Sequence, residues 1–445
     1  MCRTQAFVFF LLLGLNLPKA KGNCEFLEPE MHCVCSLQDQ SQLKDFMNCL
    51  PATTYELQGG NLLQFQLFSE TKATPEFIDI LQALQVHKLI FTDLLIPEIL
   101  LPGALEIVSY TSLVSKLEFV NCTFLRTAPW RNKGRLDLKV SSLRFHKVTA
   151  PPLDDLLDTS DLRGWLETLD NLTITESQVT YVPCKIGTVF TALGFLDISG
   201  NHFQDHSMKS SFCKGAFPQL KILKLHHNNL TSYEIVCDTV SHLSMLTHLD
   251  LSQNDFLPGN SSSRCMWPPS LRIFNLSNTG LEHMHRFLPP NVEILDLSAN
   301  NMFTLDLSLP GLKELYLSKN RLQKVPSIDR LPSLEVLSLD QNQISQLPSK
   351  DMQRLKHLQS LKAGHNLYNC SCSNYISEIQ ELAAKTSLLP DWPQDYICKS
   401  PPHYEDYLVK DVPLPSLKCN KAQISHGSIV SLLTCVYLVL GLLPM

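Results

Sequence analysis

Leu312-x-x-Leu315-x-Leu317-x-x-Asn320-x-Leu322 is the stretch that decides how this chain folds. The same spacing returns at Leu334, Leu337, Leu339, Asn342, Ile344 and at Leu358, Leu361, Ala363, Asn366, Tyr368. Upstream it is met at Leu193, Leu196, Ile198, Asn201, at Leu220, Leu223, Leu225, Asn228, Leu230, at Leu246, Leu249, Leu251, Asn254, Phe256, and at Val292, Leu295, Leu297, Asn300, Met302. One match could be chance; seven in series are an internal repeat. Within each copy the apolar side chains of a short strand alternate inward while the x residues face out. The turn that follows carries an inward Asn, whose amide can satisfy backbone groups that stacked coils would otherwise bury unpaired.

This is the leucine-rich repeat pattern. It predicts an α/β solenoid, a horseshoe with a parallel concave β-sheet and disulfide caps at both ends. Each coil needs its neighbours to bury its core, so one elongated array replaces the roughly three domains that length alone would suggest. Weaker copies extend it at Val86, Leu89, Phe91; at Val114, Leu117, Phe119; at Val140, Leu143, Phe145; at Leu169, Leu172, Ile174; and at Leu271, Phe274, Leu276. The twelve starts fall at 86, 114, 140, 169, 193, 220, 246, 271, 292, 312, 334 and 358, with spacings of 20 to 29 residues. The longer early repeats leave room for convex helices, expected over 82–84 and 154–166. The array occupies 86–368, behind an N-terminal cap and apolar region at 23–85 and ahead of a cysteine-rich cap at 369–420.

The formal charge is -6, with 37 Lys plus Arg against 43 Asp plus Glu, which gives no footprint for a polyanion such as nucleic acid. Fifteen cysteines among 445 residues point to an oxidising compartment. Arg3 precedes the apolar run Ala6 to Leu17, and Ala20-Lys21-Gly22 offers a cleavage site, so residues 1–22 are expected to be a secretory signal. Ile429 to Met445 carries no charge and follows the polar stretch Asn420 to Ser428. That layout is expected to be a glycolipid-anchor signal over 421–445, with attachment at Asn420; Ser425 is an alternative site, and a short retained transmembrane tail the rival reading. The chain is then held at the extracellular face of the plasma membrane, and a soluble secreted form is compatible with the same ends. Six sequons, Asn121, Asn171, Asn229, Asn260, Asn275 and Asn369, suit that location.

Cys24, Cys33, Cys35 and Cys49 precede the first repeat, and Cys370, Cys372, Cys398 and Cys419 follow the last. Both sets are expected to be disulfide-bonded caps over the open ends of the solenoid; neither contains the C-x-x-C pair of a typical zinc site. Cys184, Cys213, Cys237 and Cys265 lie between repeats and are placed to staple convex segments. Once Cys2 and Cys435 are lost with the ends, an odd number remains. The register puts Cys122 at the ladder position, so Cys122 is expected to be a buried free thiol.

No Walker loop, nucleophile elbow or H-E-x-x-H motif is present, and no cofactor is implied. His226-His227 and His283-x-His285 fall at surface or turn positions of the repeat. Binding, not catalysis, is the function expected of this architecture. Between 77 and 105 only Asp79, Lys88, Asp93 and Glu98 are charged, and apolar residues exceed what the ladder requires. The surplus either packs under the cap or lines a cavity with the character of an acyl-chain site.

Arg264-Cys265-Met266-Trp267, with Leu276-Ser277, Gly280-Leu281-Glu282, Leu288-Pro289 and Leu295-Asp296-Leu297-Ser298, resembles the monocyte differentiation antigen family, the lipopolysaccharide-binding co-receptors of innate immunity. The N-terminal cysteines, Gly103-Ala104-Leu105 with Tyr110, and Ser141-Ser142-Leu143-Arg144 match as well, over about residues 24 to 350. The resemblance implies an apolar pocket that takes lipid A acyl chains, receives lipopolysaccharide or other acylated microbial ligands from a lipopolysaccharide-binding transfer protein, and passes them to a Toll-like receptor complex. It implies pocket residues Phe65, Phe77, Leu81, Leu84, Leu89, Phe91, Leu94, Ile96, Leu100, Leu101 and Leu105, with Lys72, Lys88 and Lys116 as a phosphate-attracting rim. It also implies the pairs Cys24–Cys35, Cys33–Cys49, Cys184–Cys213 and Cys237–Cys265. The C-terminal cap, with expected pairs Cys370–Cys398 and Cys372–Cys419, departs from that family and resembles the flank of Toll-like receptors, which suggests a divergent or non-mammalian member. The competing function is a matrix or adhesion protein that grips a protein partner on the concave face.

Overall fold

The computed structural model describes residues 23–37, 49–62, 85–97, 105, 108–111, 113–125, 138–150, 163–257, 266–283, 288–348, 352, 355–371, 374–385 and 387–413. Two compact units divide the chain: the first runs to Asn300, and the second begins at Asn301 and also takes Glu282–Met284.

In the first unit β1 (Asn23–Leu27) pairs antiparallel with β2 (His32–Ser36), and from there every pairing is parallel. The order continues through β3 (Thr54–Asn61), β4 (Lys88–Pro97), β5 (Lys116–Val120), β7 (Ser142–His146), β8 (Asn171–Thr175), β9 (Phe195–Asp197), β10 (Ile222–Lys224), β11 (His248–Asp250), β12 (Ile273–Asn275) and β13 (Ile294–Asp296), while β6 (Thr123–Leu125) lies beside β4. In the second unit β14 (Glu314–Tyr316), β15 (Val336–Ser338) and β16 (Ser360–Lys362) repeat the arrangement. Each of the twelve expected repeats thus carries a strand that starts two residues after its predicted first residue. The parallel sheet also begins earlier than the sequence pattern does, because β2 and β3 already join it.

The inward leucines form the core as spaced. Leu196, Leu223, Leu249 and Leu295, and in the second unit Leu315 and Leu337, are no more than 1% exposed. Between strands, short helices cover the core from behind: α1 (Arg163–Leu166), within the segment expected to be helical, α2 (Cys184–Val189), α3 (Asp205–Ser211) and α4 (Tyr233–Val240). The other expected helix, at 82–84, lies outside the described residues. Ser232 caps α4 by accepting the Ile235 N–H at 3.3 Å, and the Asp205 carboxylate accepts the N–H groups of Thr231 and Ser232, both at 3.0 Å, tying α3 to the start of α4.

The ladder amides are buried and fully engaged. Asn254 Oδ1 accepts the Leu230 N–H at 3.1 Å, and its Nδ2 donates to the carbonyls of Leu225 and Leu251 at 3.0 and 2.9 Å. Asn201, Asn228 and Asn300 do the same in the first unit, and Asn342 and Asn366 in the second. Towards the N-terminus the ladder position changes to Ser177, Val148, Cys122 and Leu94. Ser177 Oγ still accepts the Val148 N–H at 3.1 Å. Beyond it the backbone pairs with itself: Asn61 with Leu95, Leu95 with Thr123, and Thr123 with Thr149, a second line of strand pairing alongside the main sheet.

One feature of every turn was not visible in the repeat pattern. The residue just before each ladder position has a left-handed backbone, from Asp93, Asn121, Lys147 and Glu176 through Gly200, His227, Gln253, Asn278 and Ala299 to Lys319, Gln341 and His365. Only one of the twelve is glycine, so stacking imposes the conformation at a cost of about 1 kcal/mol per non-glycine residue.

Disulfides join Cys24 to Cys35, Cys33 to Cys49, Cys184 to Cys213 and Cys370 to Cys398. Cys237 is also disulfide-bonded; Cys265, Cys372 and Cys419 lie outside the described residues. At the end of the second unit β17 (Tyr368–Asn369) pairs with β18 (Cys398–Ser400), and α5 (Asn374–Lys385) lies between them in sequence. The open edge beyond β16 is covered here. Leu361 N–H donates to Leu388 O at 2.8 Å, and the Asp391 carboxylate accepts the Ala363 and Gly364 N–H groups at 3.0 and 2.8 Å. Tyr368 and Tyr396, both fully buried, stack beneath with centroids 5.5 Å apart.

Candidate binding region

The apolar surplus near the N-terminus separates into two sets. Leu94, Ile96 and Leu105 are 2 to 3% exposed and belong to the core, not to a cavity wall. Leu89 and Phe91 instead point inward from β4 and remain half-buried, as does Leu57, which pairs with Phe91. On the next two strands, Leu117, Phe119, Leu143 and Phe145 occupy the same inward positions and are fully covered. Phe91, Phe119 and Phe145 form a parallel stack with centroids 5.0 and 5.3 Å apart, and Phe124 meets Phe119 edge-on at 5.3 Å. The half-covered end of this stack is apolar and rigid, a surface suited to an alkyl chain. Phe65, Phe77, Leu81, Leu84, Leu100 and Leu101 lie outside the described residues.

The expected basic rim takes a different position. Lys88 and Lys116 are neighbours on the solvent face, opposite the side to which Leu89 and Leu117 turn. Lys88 Nζ is 2.8 Å from Glu118 Oε1, and Glu118 also meets Arg144 at 3.4 Å. Lys88 therefore stands in a charge network on the outer face with Lys116 beside it, and both turn away from the inward side. Lys72 lies outside the described residues.

The sequons vary in access. Asn121 and Asn229 are exposed in turns, whereas Asn171 and Asn275 stand half-buried on the outer face of the sheet and Asn369 sits in β17. Asn260 and the expected anchor residue Asn420 fall outside the described residues. Among the described residues no helix is long and apolar enough to cross a membrane.

Two arrangements invite a catalytic or metal reading. Cys24, Cys33 and Cys35 hold their sulfurs within 4.8 Å of one another, but all three are in disulfides and offer no thiolate. Ser199 Oγ contacts His226 Nδ1 at 2.8 Å, and Asp250 Oδ2 is 3.7 Å from the same nitrogen. A hydrolase relay needs serine and carboxylate on opposite ring nitrogens; here both meet Nδ1, and Ser199 also donates to Asp197 at 2.6 Å. The group is a polar brace between adjacent turns.

Residues 310–367 match the family model described as "Leucine rich repeat". The chain has a leucine-rich repeat fold. Curated relatives of this leucine-rich repeat chain include Toll-like receptor 2 of Mus musculus, 32% identical over 403 residues, which covers 89% of this chain and 50% of the relative. Toll-like receptor 2 of Homo sapiens is 32% identical over 357 residues, covering 79% and 45%. The chain spans about half the length of the curated relatives it matches. Among solved structures, the crystal structure of the mouse RP105/MD-1 complex superposes with a TM-score of 0.51 at 20% identity, covering 81% of this chain and 67% of that one. These similarities relate the chain to Toll-like receptor 2 over about half of that protein's length, and they do not single out the monocyte differentiation antigen family that the sequence resembles.

Proposed function

We propose that the chain is a cell-surface co-receptor that binds lipopolysaccharide or related acylated microbial ligands through the apolar surface at its N-terminal repeats and delivers them to a Toll-like receptor complex. The observation that carries this reading is the half-covered inward surface of Leu57, Leu89 and Phe91, set against fully covered equivalents on the next two strands. A solenoid built only for stability would bury these positions. Acyl chains seated there gain roughly 0.8 kcal/mol per buried CH₂. The similarity to Toll-like receptor 2 chains supports a receptor role in the same broad setting.

The test is saturable binding of labelled lipopolysaccharide to the secreted ectodomain, competed by lipid A. Its absence at micromolar protein would favour the adhesion reading. Attachment through a glycolipid at Asn420 belongs to the same proposal, and release of surface protein by a phosphatidylinositol-specific phospholipase tests it; retention on the cell would replace it with a transmembrane tail.

A further inference from the structure

The outer face of the sheet changes character at β9. The first outward position of β4, β5, β7 and β8 holds Lys88, Lys116, Ser142 and Asn171. On β9 to β13 the same position holds Phe195, Ile222, His248, Ile273 and Ile294, aligned side by side by the strand register. All five are half-buried. The core does not require them, because the inward Leu196, Leu223, Leu249, Phe274 and Leu295 of the same strands already fill it. Four apolar side chains, with His248 at the centre of the row, at positions the fold leaves free make a candidate binding surface.

Charge runs beside it. The next outward position along those strands is Asp197, Lys224, Asp250, Asn275 and Asp296. Each aspartate is fixed by accepting the N–H of the serine two residues on, at 3.0, 3.0 and 2.9 Å. The single lysine lies over the Phe195 ring, 5.5 Å from its centroid. The row is therefore flanked by three immobilised carboxylates and one cation already engaged.

We propose that this row seats an amphipathic α-helix of a partner protein, apolar along one stripe and basic along the flank that meets Asp197, Asp250 and Asp296. Adjacent strands are about 4.8 Å apart and one helical turn rises about 5.4 Å. A helix lying across the strands thus presents one apolar side chain per strand over about four turns, the spacing of groove-bound helices. On β4, β5 and β7 a second copy of this chain offers Lys88, Lys116 and Arg144 on this face, and Lys88 and Arg144 are already paired with Glu118, so a second copy meets the aspartates poorly. The site is separate from the N-terminal apolar surface and does not depend on the proposal made for it.

Two designed 16-residue helices of one pattern, Leu/Lys and Leu/Glu, carry a fluorophore and are titrated against the secreted chain by anisotropy. Saturable one-to-one binding of the Leu/Lys helix is expected, with the Leu/Glu helix at least tenfold weaker. Ile222→Ser with Ile273→Ser should weaken binding at least tenfold, and Asp250→Asn about threefold with a shallower salt dependence, while the melting temperature stays unchanged. Asn275 is a sequon beside Ile273, so the Asn275→Gln chain is titrated in parallel. No saturable binding to either form, equal affinity for the Ile→Ser variant, or an ectodomain dimer abolished by that variant would overturn the proposal.

Discussion

The thiol of Cys122 lies 3.2 Å from the carbonyl oxygen of Phe91, across the boundary between two repeats, and 3.4 Å from that of Val120. It holds the position that Asn fills further along the array, and among the described residues it is the free cysteine. Burial pushes its pKa up to about 11, against the smaller lowering effect of backbone hydrogen bonds. In the native protein at pH 8 the Cys122 peptide is therefore expected to stay unlabelled by iodoacetamide, and to label fully after denaturation. Labelling of the folded protein, or a bridge found at Cys122 by non-reducing mass spectrometry, would contradict this placement.

Asn254→Ala should lower stability by about 3 kcal/mol, since it leaves the Leu230 N–H and the Leu225 and Leu251 carbonyls short of a partner inside the stack. Asn254→Asp keeps the acceptor but loses both donated bonds, and is expected to cost a comparable amount. Denaturant midpoints for the two variants measure this. A loss below about 1 kcal/mol in both would show that water replaces the amide.

Ala299 sits at φ 55° immediately before Asn300. Ala299→Gly removes a steric cost of about 1 kcal/mol in the folded state but adds flexibility to the unfolded chain, so the net gain is about 0.5 kcal/mol. A raised melting temperature is the expected result. The same substitution at the inward Ala363, outside the left-handed set, should destabilise, and a matching rise there would remove the argument from φ.

His146 and His248 both have pKa values lowered from 6.5, chiefly by burial, with the neighbouring Arg144 adding to the effect at His146. The unfolded chain therefore binds protons at these sites more readily than the folded one. Their contribution to stability is complete above about pH 6.5 and is lost as pH falls through the folded values. Urea midpoints from pH 8 to pH 5 should decline less steeply in a His146→Gln, His248→Gln double variant. An unchanged slope would assign the acid sensitivity to other groups.

The strands were legible because their cause is local: Leu at fixed spacing with a solvated residue between makes one strand per repeat, and each begins where Val86, Leu193 or Leu312 announces it. Ladder amides such as Asn228 were legible for the same reason. The left-handed turns were not, because Lys319, Gln341 and His365 carry no sign of them; stacking, not residue type, sets that conformation. β3 was also missed, since Tyr55 and Leu57 lack the third inward residue and the Asn that complete the pattern. At the candidate site the sequence located the apolar surplus but could not divide it. Leu94 and Leu89 look alike in a string of letters, and only strand pairing shows that one is covered and the other half open. Lys88 was placed by proximity in sequence, whereas period-two alternation turns it away from Leu89.

All coils share the main parallel sheet, but at the ladder the first repeats add backbone pairing along β3, β4 and β6, whereas later coils add a buried amide apiece. Main-chain pairing tolerates nearly any exchange of side chains; an amide link tolerates almost none. The N-terminal repeats are thus where sequence can drift under selection without unstacking the array, and they are also where the inward surface is left half open. Under the proposed function, a lineage facing new ligands would rewrite Leu57, Leu89 and their neighbours, while the spelling around Asn254 or Asn342 stays fixed.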